Sequence, residues 1–191
     1  MELPSLAAFA DPSLTACCAV VYVVWPLASG RHKAWILIAK SRMTPKKGLA
    51  VPHAETCGVA VICRLVVLAS LHLARQIKRI SIFTNSECVV SAIQKDGHTI
   101  LPYWQARVSE VTKHREDLAK DGCDVEEVLN FRAEDSLDDF GTRGLAKLSE
   151  LGLHSMWQTG PSFLMLPHEQ WPLRDLAAVN SHKATTSTAA G

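Results

Sequence analysis

Apolar residues along this chain fall into short runs broken by turn residues near the N-terminus, and into longer runs at helical spacing further on. Leu6–Ala10 is a short apolar run ending at Asp11-Pro12-Ser13, a turn signal, and predicts a first strand. Ala16–Trp25, rich in Val, Tyr and Trp, predicts a second. Pro26–Lys33 carries Ser29-Gly30 and reads as a hairpin connection, and Ala34–Lys40 predicts a third strand. Three strands in succession joined by short turns form an antiparallel meander.

The pattern then changes. Ser41–Val51 reads as a polar loop, and Pro52 opens a long helix to about Arg75, since a proline in the first turn forfeits no hydrogen bond. Glu55 reads as a first-turn acid that suits the helix N-terminus. Arg79–Phe83 is a short apolar strand ending at Thr84-Asn85-Ser86; a parallel, buried strand fits it, because a helix comes before it. Ser86–Gln94 and Tyr103–Lys120 read as helices, with Ser86 or Asn85 available to cap the first of them. Cys123–Leu129 alternates acidic and apolar residues as a fifth strand, and Leu137–Leu148 reads as a last helix. The expected fold is α/β, a mixed five-stranded sheet of three antiparallel strands then two parallel ones, flanked by helices. From Ser149 the pattern weakens into an aromatic, irregular stretch holding Trp157, Gly160-Pro161, Phe163 and Trp171-Pro172, expected to wrap a surface. Residues 1–148 are therefore expected as the domain, 149–173 as its wrap and 174–191 as a disordered tail.

Bulk properties narrow the function classes only a little. The 191 residues are 48% hydrophobic, enough for one ordinary core, and the net charge of +1 neither demands nor excludes nucleic acid. Six cysteines with no Cys-x-x-Cys pair read as reduced thiols rather than a zinc site or a disulfide framework. The start of the chain lacks a basic stretch, so no signal peptide is expected. Val51–Ala74 is interrupted by His53, Glu55, Arg64 and His72 and reads as a buried helix, not a membrane span. A cytoplasmic or nuclear protein without a membrane partner is the expectation.

Chemistry concentrates in the acids. Asp11 ends the first strand, Glu55 begins the first long helix, Asp138 and Asp139 begin the last helix, and the fourth strand ends at Asn85 where an aspartate would complete a set. Strand ends and helix starts at one edge of a sheet converge although far apart in sequence. Several carboxylates meeting there repel unless cations lie among them, as in a two-metal phosphodiesterase.

These pieces resemble the ribonuclease H-like domain of Pao/BEL-type LTR retrotransposon polyproteins. The matching segments are Phe9-Ala-Asp-Pro-Ser13, Ala19-Val-Val-Tyr22, Ala39-Lys-Ser-Arg-Met43, Val51-Pro-His-Ala-Glu55, Phe83-Thr-Asn-Ser86, Arg107-Val-Ser-Glu110, Asp139-Phe-Gly-Thr-Arg-Gly144, and Trp157 through Gly160-Pro161 to Trp171-Pro172. The resemblance implies hydrolysis of RNA in RNA–DNA hybrids with Mg²⁺ or Mn²⁺, at a catalytic set of Asp11, Glu55, Asn85 and Asp139. Of these, Asp11, Glu55 and Asp139 would hold metal. Asn85 stands where the family has aspartate. An amide is a neutral and poorer ligand for a hard cation, so the activity is expected to be absent or impaired. The loop Arg132-Ala-Glu-Asp-Ser-Leu-Asp138 departs as well, where the family has an Asn-Pro-Ala-Asp run. No reverse transcriptase or integrase accompanies the sequence, which reads as a stand-alone copy.

Lys40, Arg42, Lys46, Lys47, Arg107 and Arg143 are the candidates for phosphate contact, with solvated charge as the bland alternative. Two rivals to an inactive relic stand beside it. One is an active nuclease in which Asp138 or Asp135 replaces the lost charge, and the other is a binding module, a pseudoenzyme that keeps the hybrid and does no chemistry.

Overall fold

The computed structural model describes residues 2–12, 16–43, 51–74, 76–94, 102–130 and 152–172, and for 11, 12, 51–53, 94, 102–104, 127 and 130 it describes the backbone. At its centre is β1 (Ser5–Pro12), flanked by the antiparallel β2 (Ala16–Pro26) on one side and the parallel β4 (Arg79–Thr84) on the other. β3 (His32–Met43) pairs antiparallel with β2, and β5 (Asp124–Asn130) pairs parallel with β4, so the strand order is β3-β2-β1-β4-β5. The predicted meander and its two parallel additions are both present. A parallel strand needs a crossover, and the helices α1 (Val51–His72) before β4 and α2 (Glu87–Gln94) with α3 (Pro102–Lys120) before β5 supply it.

Every described side chain of β1 from Leu6 to Ala10 is at most 3% exposed, which is why the run reads as continuously apolar rather than alternating. Its pleat divides it between two cores. Leu6, Ala8 and Ala10 join Val21, Ile80, Ile82 and the inner faces of the three helices. Ala7 and Phe9 join Tyr22, Phe83, Phe163, Leu164 and Trp171 on the opposite face. The stretch after Ser149 thus completes a core, through a helical turn at Met156–Thr159 and two 3₁₀ turns at Ser162–Met165 and His168–Gln170. Phe163 and Trp171 are at most 7% exposed, and burial of each such side chain contributes about 1.5–3 kcal/mol. The ring of Phe83 lies 4.7 Å from Phe9, 5.8 Å from Phe163 and 5.7 Å from Trp171.

The structure corrects three local expectations. β3 runs on to Met43, because Ala16 pairs with Met43, and Arg42 therefore stands on a strand with Lys40 instead of in a loop. α1 begins at Val51, so Glu55 is its fifth residue, and the first turn holds no acid. The same helix ends at His72 rather than Arg75, since Ala74 takes the left-handed conformation (φ 50°) that closes a helix, its N–H donating to the Leu71 carbonyl. Polar interruptions also fail to separate α1 from a membrane helix: Ala54–His72 is long and apolar enough to span a bilayer, with mean hydropathy 1.8. Its burial is the better discriminator, 67% of that window being covered by the protein itself. All six cysteines are free thiols, and burial pushes the Cys63 thiol up to about 12.

Candidate active site

β1 and β4 run side by side and end together. Their parallel register goes from Leu6 opposite Ile80 to Phe9 opposite Phe83. Asp11 and Asn85 therefore each stand two residues beyond the last matched pair, on neighbouring strands at one sheet edge. On its other side Asp11 pairs with Cys18 of β2, which holds its backbone from that flank. β4 stops one residue short of Asn85, which forms the bend into α2.

Glu55 reaches the same edge from α1. Its Oε2 accepts a hydrogen bond from the Ser86 hydroxyl, directly after Asn85. The Ser86 Oγ also accepts the Val89 N–H at 3.3 Å, while its own N–H donates to Thr84 Oγ1 at 3.3 Å. This makes Ser86 the N-cap of α2 and removes that role from Asn85. Ser86 is 5% exposed and Thr84 1%, so these bonds are shielded from water. As a cap Ser86 was legible; as the partner of Glu55, 31 residues away in sequence, it carried no local signal.

Lys40 and Arg42 are exposed and lie opposite Ala19 and Cys17 of β2, on the α1 side of the sheet. Cys17 marks how near they come to the start of α1. Burial and then Cys57, two residues past Glu55, push its thiol up, and Arg42 works in the opposite direction. Arg107 is placed differently. Its guanidinium pairs with Glu110 at 2.8 Å, and Glu110 also receives Arg64 of α1 and has His114 at 3.8 Å. This group ties α3 to α1 about 13 Å of helix axis from Glu55, at 1.5 Å per residue.

Asp135, Asp138, Asp139, Arg143, Lys46 and Lys47 lie outside the described residues, as does the helix expected over Leu137–Leu148. Of the four positions expected from the resemblance to form a catalytic set, the backbone of Asp11, the whole of Glu55 and Asn85, and nothing of Asp139 are described. Among the described residues no group of three His, Cys, Asp or Glu side chains is placed to hold a metal ion. What those residues do is gather three of the four positions at one edge, with one carboxylate already bonded to a buried hydroxyl.

The chain is similar in fold to several solved structures at low identity. RNase H1 from the halophilic archaeon Halobacterium salinarum aligns at 11% identity and TM-score 0.47, over 68% of this chain and 87% of that one. LC11-RNase H1 in complex with an RNA/DNA hybrid gives 11% and 0.47, over 73% and 91%. The protease–reverse transcriptase of prototype foamy virus gives 12% and 0.44, over 76% of this chain and 21% of that one. Comparison with curated proteins finds no match. Residues 1–86 match the family described as the Pao retrotransposon-like RNaseH-like domain, and they hold β1–β4 with Asp11, Glu55 and Asn85. Just under half of the chain, residues 1–86, is thus similar to the Pao retrotransposon-like RNaseH-like domain, and the mixed five-stranded sheet flanked by helices extends beyond that match to β5.

Proposed function

We propose that this domain descends from an enzyme that cut RNA paired to DNA with a divalent cation, and that it has lost most of that catalysis. The observation that carries the reading is Asn85. It stands at the end of β4, level with Asp11 at the end of β1, where an anion would be needed to help neutralise two cations. A divalent ion there would be held by Asp11 and Glu55, with Asp139 as a third ligand from the last helix. Ser86 holds Glu55 in place at that edge. The proposed compartment is the cytoplasm or the nucleus, where such hybrids form.

A second reading, that the domain binds hybrid without cutting it, is favoured by Lys40 and Arg42. Both are exposed on one face of the edge strand, beside the start of α1. Each phosphate contact they make adds about one counterion to the salt dependence of binding.

The test is cleavage of an RNA–DNA hybrid in Mg²⁺ and in Mn²⁺ by the natural chain and by Asn85→Asp side by side. We expect a silent natural chain and a cutting variant. Cleavage by the natural chain overturns the loss of activity. Silence of both leaves the binding reading, which requires hybrid affinity that falls with salt and weakens in Lys40→Ala/Arg42→Ala.

A further inference from the structure

Charge is unevenly spread along this chain. From Pro12 to Ala54 it holds six of the 20 Lys and Arg residues and none of the 19 acids. That stretch contains β2, β3 and the turn between them, so one border of the sheet is cationic although the whole protein is nearly neutral. β3 is the edge strand at that border. The ion pairs of the described residues lie among α1, α3, β4, β5 and the C-terminal segment, and none of them involves β3.

The pleat sorts the side chains of this border. Cys17, Ala19, Val21 and Val23 of β2 face the helices, and Trp25, two residues on, shares that face. Opposite these five stand, in turn, Arg42, Lys40, Ile38, Trp35 and Lys33 of β3. The register shift at Val21/Tyr22 leaves Leu37 as an extra residue, which brings Trp35 and Ile38 onto one face. Both rest half-buried on the rim of the helix-side core. Lys33, Lys40 and Arg42 are exposed, and Trp25 is 38% exposed. The face therefore carries cations at both ends, with indoles and an aliphatic side chain between them.

Lysines on an edge strand guard it against pairing with another sheet, but that role requires no aromatic rings among them. Lys33 Nζ lies 5.2 Å from the centre of the Trp35 ring, so the open face of this indole already attracts a cation. Cations spaced along a strand suit a row of phosphates, and flat rings among them suit bases. Paired bases hide their faces within the stack, so the strand that fits is an unpaired one. An acidic peptide would use the cations and leave the indoles idle. A membrane would need apolar side chains that protrude, and Trp35 is half-buried.

We propose that this face of β3, with Trp25 beside it, is a track for a single strand of RNA or DNA. It is about 27 Å long, with room for about eight stacked nucleotides. Its Arg42 end adjoins the strand ends of the candidate active site, since Cys17 pairs with both Arg42 and Pro12. Its Lys33 end lies at the opposite border of the sheet. The inference rests on the binding reading above and extends it from Lys40 and Arg42 to the indoles; it requires no catalysis.

The test is fluorescence anisotropy of a labelled single strand of about 12 thymidine nucleotides with the full chain, at about 50 and about 200 mM salt. The natural chain is expected to bind and to lose affinity as salt rises. Lys33→Gln should flatten the logarithmic salt slope by about 0.7. Trp35→Leu should weaken binding about fivefold or more, and Trp35→Phe, which keeps a ring, should recover most of it. Equal single-strand affinity in Trp35→Leu and the natural chain overturns the track. If a blunt RNA–DNA hybrid still loses affinity in Lys40→Ala/Arg42→Ala, the binding reading outlives it. Phosphatidylserine vesicles bound with the same dependence on Trp35 also overturn the track, because the face then serves a membrane.

Discussion

The Ser86 hydroxyl donates to Glu55 while accepting the amide hydrogen of Val89. One buried side chain thereby caps α2 and fixes a carboxylate on α1, joining two helices at the edge where β1 and β4 end.

Loss of that hydroxyl removes both bonds at once. Ser86→Ala is expected to lower stability by about 1–3 kcal/mol in urea unfolding, and Ser86→Thr to recover most of it. An alanine variant within about 0.5 kcal/mol of the natural chain would show that neither bond matters.

Tyr22 is fully buried, and its hydroxyl donates to the Trp157 carbonyl at 2.9 Å across the sheet face. Tyr22→Phe keeps the ring and should cost about 1 kcal/mol. Burial, and then Cys18, raise the Tyr22 pKa, so the folded state resists ionisation. The stability it contributes is whole below its ordinary value of 10.0 and falls as pH rises beyond it. Alkaline unfolding followed for both proteins should show a steeper loss for the natural chain, and parallel curves would refute the assignment.

Gly160 has φ of 73°, and a Cβ there would sit 2.6 Å from Leu164 Cδ1 and 3.3 Å from Tyr22 Cδ1. Gly160→Ala must strain the backbone and push apart two fully buried side chains. It should cost about 2–4 kcal/mol and lower the melting temperature by several degrees. A variant as stable as the natural chain would mean that the C-terminal segment does not pack as described.

Glu110 joins α1 to α3 through Arg64 and Arg107. Burial raises its pKa, but the hydrogen bonds from the two arginines prevail and hold the carboxyl below its ordinary value of 4.5. A depressed pKa contributes stability above that value and loses it as pH falls through the folded one. Acid unfolding should therefore be less steep in Glu110→Gln, which starts out less stable near neutral pH. Equal acid sensitivity in the two proteins would remove Glu110 from the account.

The order of the elements along the chain and the long helix were readable because each depends on local periodicity. Leu6–Ala10 reads as buried on both faces, Val51 onward carries helical spacing, and Ile80, Ile82 and Phe83 of β4 are apolar because the first two join the core under the helices and the third the aromatic core. Asn85 was visible as a departure only through the resemblance of Phe83-Thr84-Asn85-Ser86 to a family motif that has aspartate there, not through any periodicity. Cap choice and strand length were harder. Whether Asn85 or Ser86 caps α2, and whether β3 stops at Lys40 or Met43, turns on partners supplied by other segments.

The amino-acid sequence by itself determined the elements, their order and which residues end at the edge of the sheet, since propensity and pattern act between near neighbours. Only the tertiary structure decided that Ser86 would meet Glu55, that Tyr22 would reach Trp157, that Arg107 would bind Glu110 with Arg64, and that a segment with no periodicity would close the second core. Irregular chain has no repeating angle to read. Its place is set by where Phe163, Leu164 and Trp171 find apolar surface, and that surface exists only once β1, β2 and β4 have come together.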